Sequence, residues 1–172
     1  MVQPKRLPCG RTLLPDSDSL HPTNSPDWQK RLQDYLEGEG LRSSDQRWKI
    51  AELLLATGEH LSAQEILDRV RTAYPEIGAA TVYRNIKVLC EAMILKESLS
   101  DAEGRTVYER GDEGHHDHIV CLDCGEIFEF HDEAIEALQD SVTQKLNFEP
   151  IRHRHVIYAQ CQFKRKSQAK SF

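Results

Sequence analysis

Ala79-Ala80-Thr81-Val82-Tyr83-Arg84-Asn85-Ile86-Lys87-Val88-Leu89-Cys90-Glu91-Ala92-Met93 is the stretch whose reading decides the fold. Val82, Ile86, Leu89, Cys90 and Met93 recur at helical spacing as one apolar stripe, and Thr81, Tyr83, Arg84, Asn85 and Lys87 fall on the outward face. That outward set offers donors for phosphates and base edges, and a ring for a thymine methyl. Cys90, being on the stripe, reads as core rather than as a ligand. Immediately downstream, 94–99 and 105–109 read as two short strands around Asp101-Ala102-Glu103-Gly104, a hairpin turn with glycine where a left-handed residue is tolerated. Helices followed by such a hairpin make a winged helix-turn-helix. The alternative is a small helical interaction domain in which Tyr83 and Arg84 are ordinary surface residues.

Upstream, a helix over about 28–39 presents Trp28, Leu32, Tyr35 and Leu36 on one stripe. A second begins at Ser43 or Ser44, turns Trp48, Ile50, Ala51, Leu53, Leu54 and Leu55 inward, and stops at Thr57-Gly58. Ser62 with Glu65 three residues on forms a capping box for a third, which Pro75 and Gly78 break before 79–93 begins. Residues 1–26 hold five of the seven prolines without helical or strand periodicity, and read as a disordered tail with Cys9 an incidental thiol.

Downstream, His115-His116-Asp117-His118-Ile119-Val120-Cys121-Leu122-Asp123-Cys124-Gly125-Glu126-Ile127-Phe128-Glu129-Phe130 crowds three histidines, four acids and two cysteines into sixteen residues. On a strand, His116 and His118 point one way and His115 and Asp117 the other, so one strand can feed two separate metal sites. Imidazole with carboxylate suits Fe(II), Mn(II) or Zn(II); cysteines two residues apart are half of a tetrahedral zinc or iron–sulfur site. Asp132 then caps a helix to about Leu146, with Ile135, Leu138, Val142 and Leu146 at helical spacing, and 155–161 reads as a last strand. Strand, strand, helix, strand is an α/β unit too thin to cover both sheet faces, which dimerisation would remedy.

The 172 residues, 39% of them hydrophobic, contain no run near the ~18 apolar residues of a membrane span. No secretory signal is recognisable and five cysteines make no disulfide scaffold, so a cytoplasmic protein is expected. The net charge of −6 argues against nucleic acid only superficially. Residues 28–98 hold ten Lys/Arg against eleven Asp/Glu, whereas 99–163 hold five against fourteen, with six of the eight histidines. The acid belongs to the metal-rich half.

Residues 28–163 resemble, in order and nearly without gaps, the ferric uptake regulator (Fur) family of metal-dependent bacterial repressors. The resemblance is carried by Glu59-His60-Leu61-Ser62-Ala63, Ile77-Gly78-Ala79-Ala80-Thr81-Val82-Tyr83-Arg84, Tyr108-Glu109, the run 115–130 and His153. It implies an α+β chain: an N-terminal winged helix-turn-helix domain at 27–109, a hinge at 110–114 and a small α/β dimerisation domain at 115–163, with the tail 1–26 before and a basic tail at 164–172 after. It also implies a homodimer that binds a palindromic operator in double-stranded DNA, with no membrane and no small-molecule substrate. The regulatory site falls on His60, Glu109, His116, His118 and Glu129, and a second site on His115, Asp117, Glu136 and His153. Arg42, Thr81, Tyr83 and Arg84 are the expected DNA-facing residues. Cys121, Cys124 and Cys161 match three positions of a Cys₄ zinc site, but Lys166 stands at the fourth. That zinc site is incomplete unless water, a histidine or Cys9 completes it. His21, His131 and His155 match no ligand position and are left as surface residues.

Glutamate at 109 and 129, with no cysteine among the regulatory ligands, resembles the iron sensors of the family and makes Fe(II) the expected cofactor, with Mn(II) or Zn(II) as substitutes and Zn(II) at the cysteines. Peroxide-, manganese- and zinc-sensing members are the nearest alternatives. A metal-dependent hydrolase is a reading of another class, but no motif places a nucleophile or spare base and it leaves the 79–93 helix without a purpose. A zinc-stabilised protein-interaction module is a third, and predicts no metal-dependent DNA affinity.

Overall fold

The computed structural model describes residues 5–6, 12–13, 27–56, 58–112 and 114–161. They fall into two compact units, one within Asp16–Glu113 and one within Gly114–Phe172 together with Met1–Pro15. Among the described residues no helix is long and apolar enough to cross a membrane.

The first unit is a winged helix. Helices α1 (Asp27–Gly38), α2 (Asp45–Leu55), α3 (Ala63–Ala73) and α4 (Ala79–Glu91) surround a core that includes Leu32, Ile50, Ile66, Val70, Val82 and Leu89. Each such side chain contributes on the order of 1.5–3 kcal/mol by burial. Local chemistry sets the helix starts. Ser44 accepts the Arg47 N–H ahead of α2, and Ser62 and Glu65 close a reciprocal capping box on α3. The wing is β4 (Leu95–Ser100) and β5 (Thr106–Arg110), closed by Asp101, whose Oδ1 accepts the Glu103 and Arg105 N–H groups, with Gly104 at φ +79°.

Several details differ from the sequence reading. A two-residue strand β3 (Leu61–Ser62) pairs with β5, giving a sheet of order β3-β5-β4; it is too short to leave a periodic signal. Asn85 is buried rather than outward, because its Oδ1 accepts from Arg47 Nε and its Nδ2 donates to the Thr81 carbonyl, both at 2.8 Å. Met93 leaves the apolar stripe: α4 has already ended, and Met93 turns the chain at φ +56° with its side chain 64% exposed. Arg110, assigned to the hinge, is the last residue of β5 and is buried. Its guanidinium holds both oxygens of Asp112 and the Leu55 carbonyl. Gly111 is tied down as well: its N–H donates to the Ile94 carbonyl, and a Cβ there would stand 2.4 Å from the Met93 carbonyl oxygen.

The second unit has β6 (Asp117–Cys121) between antiparallel β7 (Ile127–Phe130) and parallel β8 (Val156–Ala159), with α5 (Glu133–Lys145) capped by Asp132. Central β6 is buried on both faces at Asp117 and His118. In this single chain α5 buries no residue, and Leu138, Val142 and Leu146 are exposed. Part of the segment read as disordered tail forms a ladder, β1 (Lys5–Arg6) against β2 (Thr12–Leu13), too short for periodicity to reveal. Cys9, Lys166 and the rest of both tails lie outside the described residues.

Candidate metal centres and nucleic-acid-facing helix

The winged-helix unit carries two of the expected regulatory ligands. Leu61 pairs with Tyr108 and Lys96 with Glu109 across the sheet, so His60, Glu109 and Lys96 form one cross-strand row. Glu109 is buried, with Oε2 2.6 Å from His60 Nε2 and Oε1 2.9 Å from Lys96 Nζ. Lys96 is a contact that sequence reasoning missed; only the strand register brings it there.

The other three expected ligands sit in the second unit. Glu129 is the cross-strand partner of His118, and His116 Nε2 lies 4.0 Å from Glu129 Oε1. The His116 and His118 rings meet edge to face, with centroids 4.8 Å apart. His116 Nδ1 is 2.9 Å from the Gly114 carbonyl oxygen. A carbonyl only accepts, so Nδ1 carries the proton and Nε2 has the lone pair that a metal requires.

On the opposite face of β6, His115, Asp117, Glu136 and His153 bring one ligand atom each to within 4.8 Å of one another. His115 Nε2 is 3.2 Å from Glu136 Oε1 and 3.7 Å from Asp117 Oδ1; His153 Nε2 is 3.5 Å from Glu136 Oε2 and 3.7 Å from Asp117 Oδ1. Asp117 is 1% exposed, and among the described residues neither of its oxygens has a hydrogen-bond partner. A buried carboxylate left in that state is costly. The donor set of two imidazoles and two carboxylates fits a divalent ion of the Fe(II), Mn(II) or Zn(II) class, which would satisfy it. His131 is exposed, as expected, whereas His155 is half-buried rather than a surface residue. His131 Nδ1 stands 3.9 Å from Glu136 Oε1 and His155 Nδ1 3.6 Å from Asp117 Oδ2.

Cys121 ends β6, and the Gly125 N–H donates back to its carbonyl at 2.8 Å with Gly125 at φ +74°, forming a tight Cys-x-x-Cys-Gly turn. The Leu122 N–H donates to the Ala159 carbonyl and the Cys161 N–H to Asp123 Oδ2, which draws the chain at Cys161 toward that turn. The three thiols are not among the clusters of closely spaced ligand atoms found in the described residues. Cys90 is half-buried, and burial, with Glu97 and Glu91 nearby, pushes its thiol up to about 11, so it is a poor nucleophile and ligand.

On α4, Tyr83 and Arg84 are exposed and Thr81 is half-buried. Exposed Arg42 lies in the α1–α2 loop, where its carbonyl accepts from Arg47 Nη1 at 2.7 Å. Arg47 is buried without a carboxylate partner among its described hydrogen bonds, and desolvation lowers its pKa. It braces the Arg42 loop against α4 through Asn85.

Residues 38–158 match the model of the ferric uptake regulator family. The ferric uptake regulation protein of Vibrio anguillarum is 37% identical over 127 residues, which are 73% of this chain and 85% of that one. The Vibrio cholerae ferric uptake regulator aligns structurally with a TM-score of 0.66 at 36% identity, over 75% of this chain and 98% of that one. The Helicobacter pylori regulator, whose structure is described as revealing three functional metal binding sites, gives 0.74 at 31% identity over 81% and 93%. The two-unit architecture, the ligand-bearing strand and these likenesses together establish that this chain belongs to the ferric uptake regulator family of metal-responsive transcriptional regulators, and is not an enzyme.

Proposed function

We propose that this chain is an Fe(II)-dependent cytoplasmic repressor of iron-uptake genes that binds an inverted-repeat operator as a homodimer. The observation that carries the reading is the donor chemistry expected for the regulatory ion: His60 and Glu109 on one unit, His116, His118 and Glu129 on the other, all nitrogen and oxygen with no thiolate. The family resemblance assigns all five to a single ion. A bound divalent cation supplies the positive charge that these carboxylates and imidazoles are arranged to receive. His115, Asp117, Glu136 and His153 hold a second ion, and Cys121, Cys124 and Cys161 hold zinc with a fourth ligand. Three such sites accord with what is described for the Helicobacter pylori relative.

Tyr83, Arg84 and Thr81 of α4, with Arg42, face the DNA. Dimerisation covers the apolar α5 stripe and exposed Ile157 and Tyr158 of β8, which a single chain leaves in water. Metal and operator affinity are then reciprocally coupled, typically by ~1–3 kcal/mol or ~5–150-fold.

The test is operator affinity against free Mn(II) or anaerobic Fe(II) for the wild type and for His116→Ala, with dimerisation followed by sedimentation. His116→Ala is expected to remain a folded dimer with weak, salt-sensitive non-specific DNA binding, and to lose metal-dependent operator binding. Full metal-dependent operator binding by that variant would refute the reading.

A further inference from the structure

The two imidazoles of the second centre both approach the same oxygen of Asp117. His115 Nε2 and His153 Nε2 each stand 3.7 Å from Oδ1, whereas Oδ2 faces His155 Nδ1 at 3.6 Å. Strand register makes that second approach. His118 pairs with Val156 in the parallel ladder, so Asp117 and His155 precede paired residues on neighbouring strands, and the His118 N–H donates to the His155 carbonyl at 3.1 Å. Phe130 pairs with Asp117 on the other side of β6, and its ring meets the His155 ring at 74° with centroids 6.1 Å apart. The His155 backbone is therefore fixed against β6 and its ring borders Phe130, beside an oxygen that has no hydrogen-bond partner among the described residues.

We propose that His155 is a positioning residue of the second centre: when metal binds, its Nδ1–H closes from 3.6 Å to a hydrogen bond on Oδ2 of Asp117, so that Oδ1 is presented to the metal. The proposal rests on reading His115, Asp117, Glu136 and His153 as a divalent-metal centre. A buried carboxylate that gives one oxygen to a cation still has a second oxygen to satisfy, and leaving it bare costs what any orphaned buried acceptor costs. A donor at that oxygen removes the cost and fixes the carboxylate's orientation, as outer-shell partners of metal ligands generally do. His155 acts through Asp117 rather than as a ligand: it lies outside the four-residue group whose ligand atoms are mutually within 4.8 Å, and it meets the opposite oxygen.

The experiment is a Co(II) titration of the full chain against a competing chelator, followed by absorbance, for the wild type, His153→Ala, His155→Leu and His155→Asn. His153→Ala defines the share of Co(II) binding and spectrum that belongs to the second centre. If it changes neither, the metal-centre reading itself has failed. Given that share, His155→Leu is expected to weaken it about 10–100-fold while leaving its ligand-field bands in place, because the ligand set is intact. His155→Asn puts an amide Nδ2 near the position of Nδ1 and should restore most of the affinity. Wild-type affinity in His155→Leu overturns the proposal. So does failure of asparagine to rescue, since the donor is then irrelevant, and so does a band shift in both His155 variants, which would make His155 a ligand. If circular dichroism shows His155→Leu unfolded, His155→Phe replaces it, keeping a ring against Phe130 without a nitrogen.

Discussion

Asp117→Asn should raise stability in the absence of metal and lower it in its presence. The carboxylate is wholly buried, neither oxygen accepts a hydrogen bond among the described residues, and three imidazoles stand 3.6–3.7 Å from it. An orphaned buried polar group costs about 1–3 kcal/mol, and more when charged. Asparagine keeps the shape and removes the formal charge, so in excess chelator the variant should gain about 1–3 kcal/mol. At roughly 2–4 °C per kcal/mol for a chain of this size, that is about 2–12 °C in melting temperature. Saturating metal works in the opposite direction. A site filled at a thousandfold excess over its dissociation constant stabilises the wild type by about 4 kcal/mol, and a variant that has lost the site gains nothing. The order of the two proteins should therefore invert between chelator and Zn(II) or Co(II), read by circular dichroism melts under both conditions. An Asp117→Asn variant that melts below the wild type in chelator would refute the argument, because the carboxylate would then be satisfied within the metal-free protein.

Arg84→Ala should weaken DNA binding and reduce the slope of log affinity against log salt by about 0.9 if Arg84 meets a phosphate, whereas Tyr83→Ala should mainly relax sequence preference; unchanged binding of every sequence by both would remove α4 from the interface. If the cysteine site holds structural zinc, purified protein should retain about one zinc per chain at that site through mild chelation, and Cys121→Ser should lose it and melt earlier; zinc-free protein of undiminished stability would contradict this. Gly111→Ala should destabilise the winged-helix unit by about 1–3 kcal/mol, since its Cβ would meet the Met93 carbonyl at 2.4 Å. Gly114→Ala, with nothing among the described residues within 4 Å of the added carbon, should stay within about 0.5 kcal/mol, both variants being read by denaturant titration.

What was legible in the sequence depended on how local its physical signal is. The Ser62–Glu65 capping box and the Asp132 cap spend their hydrogen bonds within three residues, and both are found as expected. The hairpin at Asp101–Gly104 is local in the same sense. Asn85 misled because a polar residue beside an apolar stripe ordinarily faces water, and its burial depends on Arg47, 38 positions away in the chain. Strand β3 is two residues long, so no alternation could announce it, yet it sets His60 in line with Glu109. His155 was missed for a related reason. Its nearness to Asp117 follows from parallel pairing between β6 and β8, and a spacing of 38 residues carries no trace of that pairing.

Strand β6 concentrates the consequences. Asp117 and His118 are consecutive, point to opposite faces and are both buried, so the centre of the second unit is polar on both sides of its sheet. Among its described residues the buried apolar side chains are Val120 and Cys121 alone, and α5 contributes none. A unit built this way cannot draw its stability mainly from its own apolar core. Two other sources are available to it: charge neutralisation at the proposed metal centres, and cover for Leu138, Val142, Leu146 and Tyr158 in the proposed dimer. A one-residue slip of β6 would send His118 to the face of Asp117 and scramble both donor sets at once. The same ladder that orders the sheet therefore also keeps the two proposed ligand sets apart, so folding of this unit, the proposed pairing with a second copy and the proposed metal loading would be energetically linked rather than successive events.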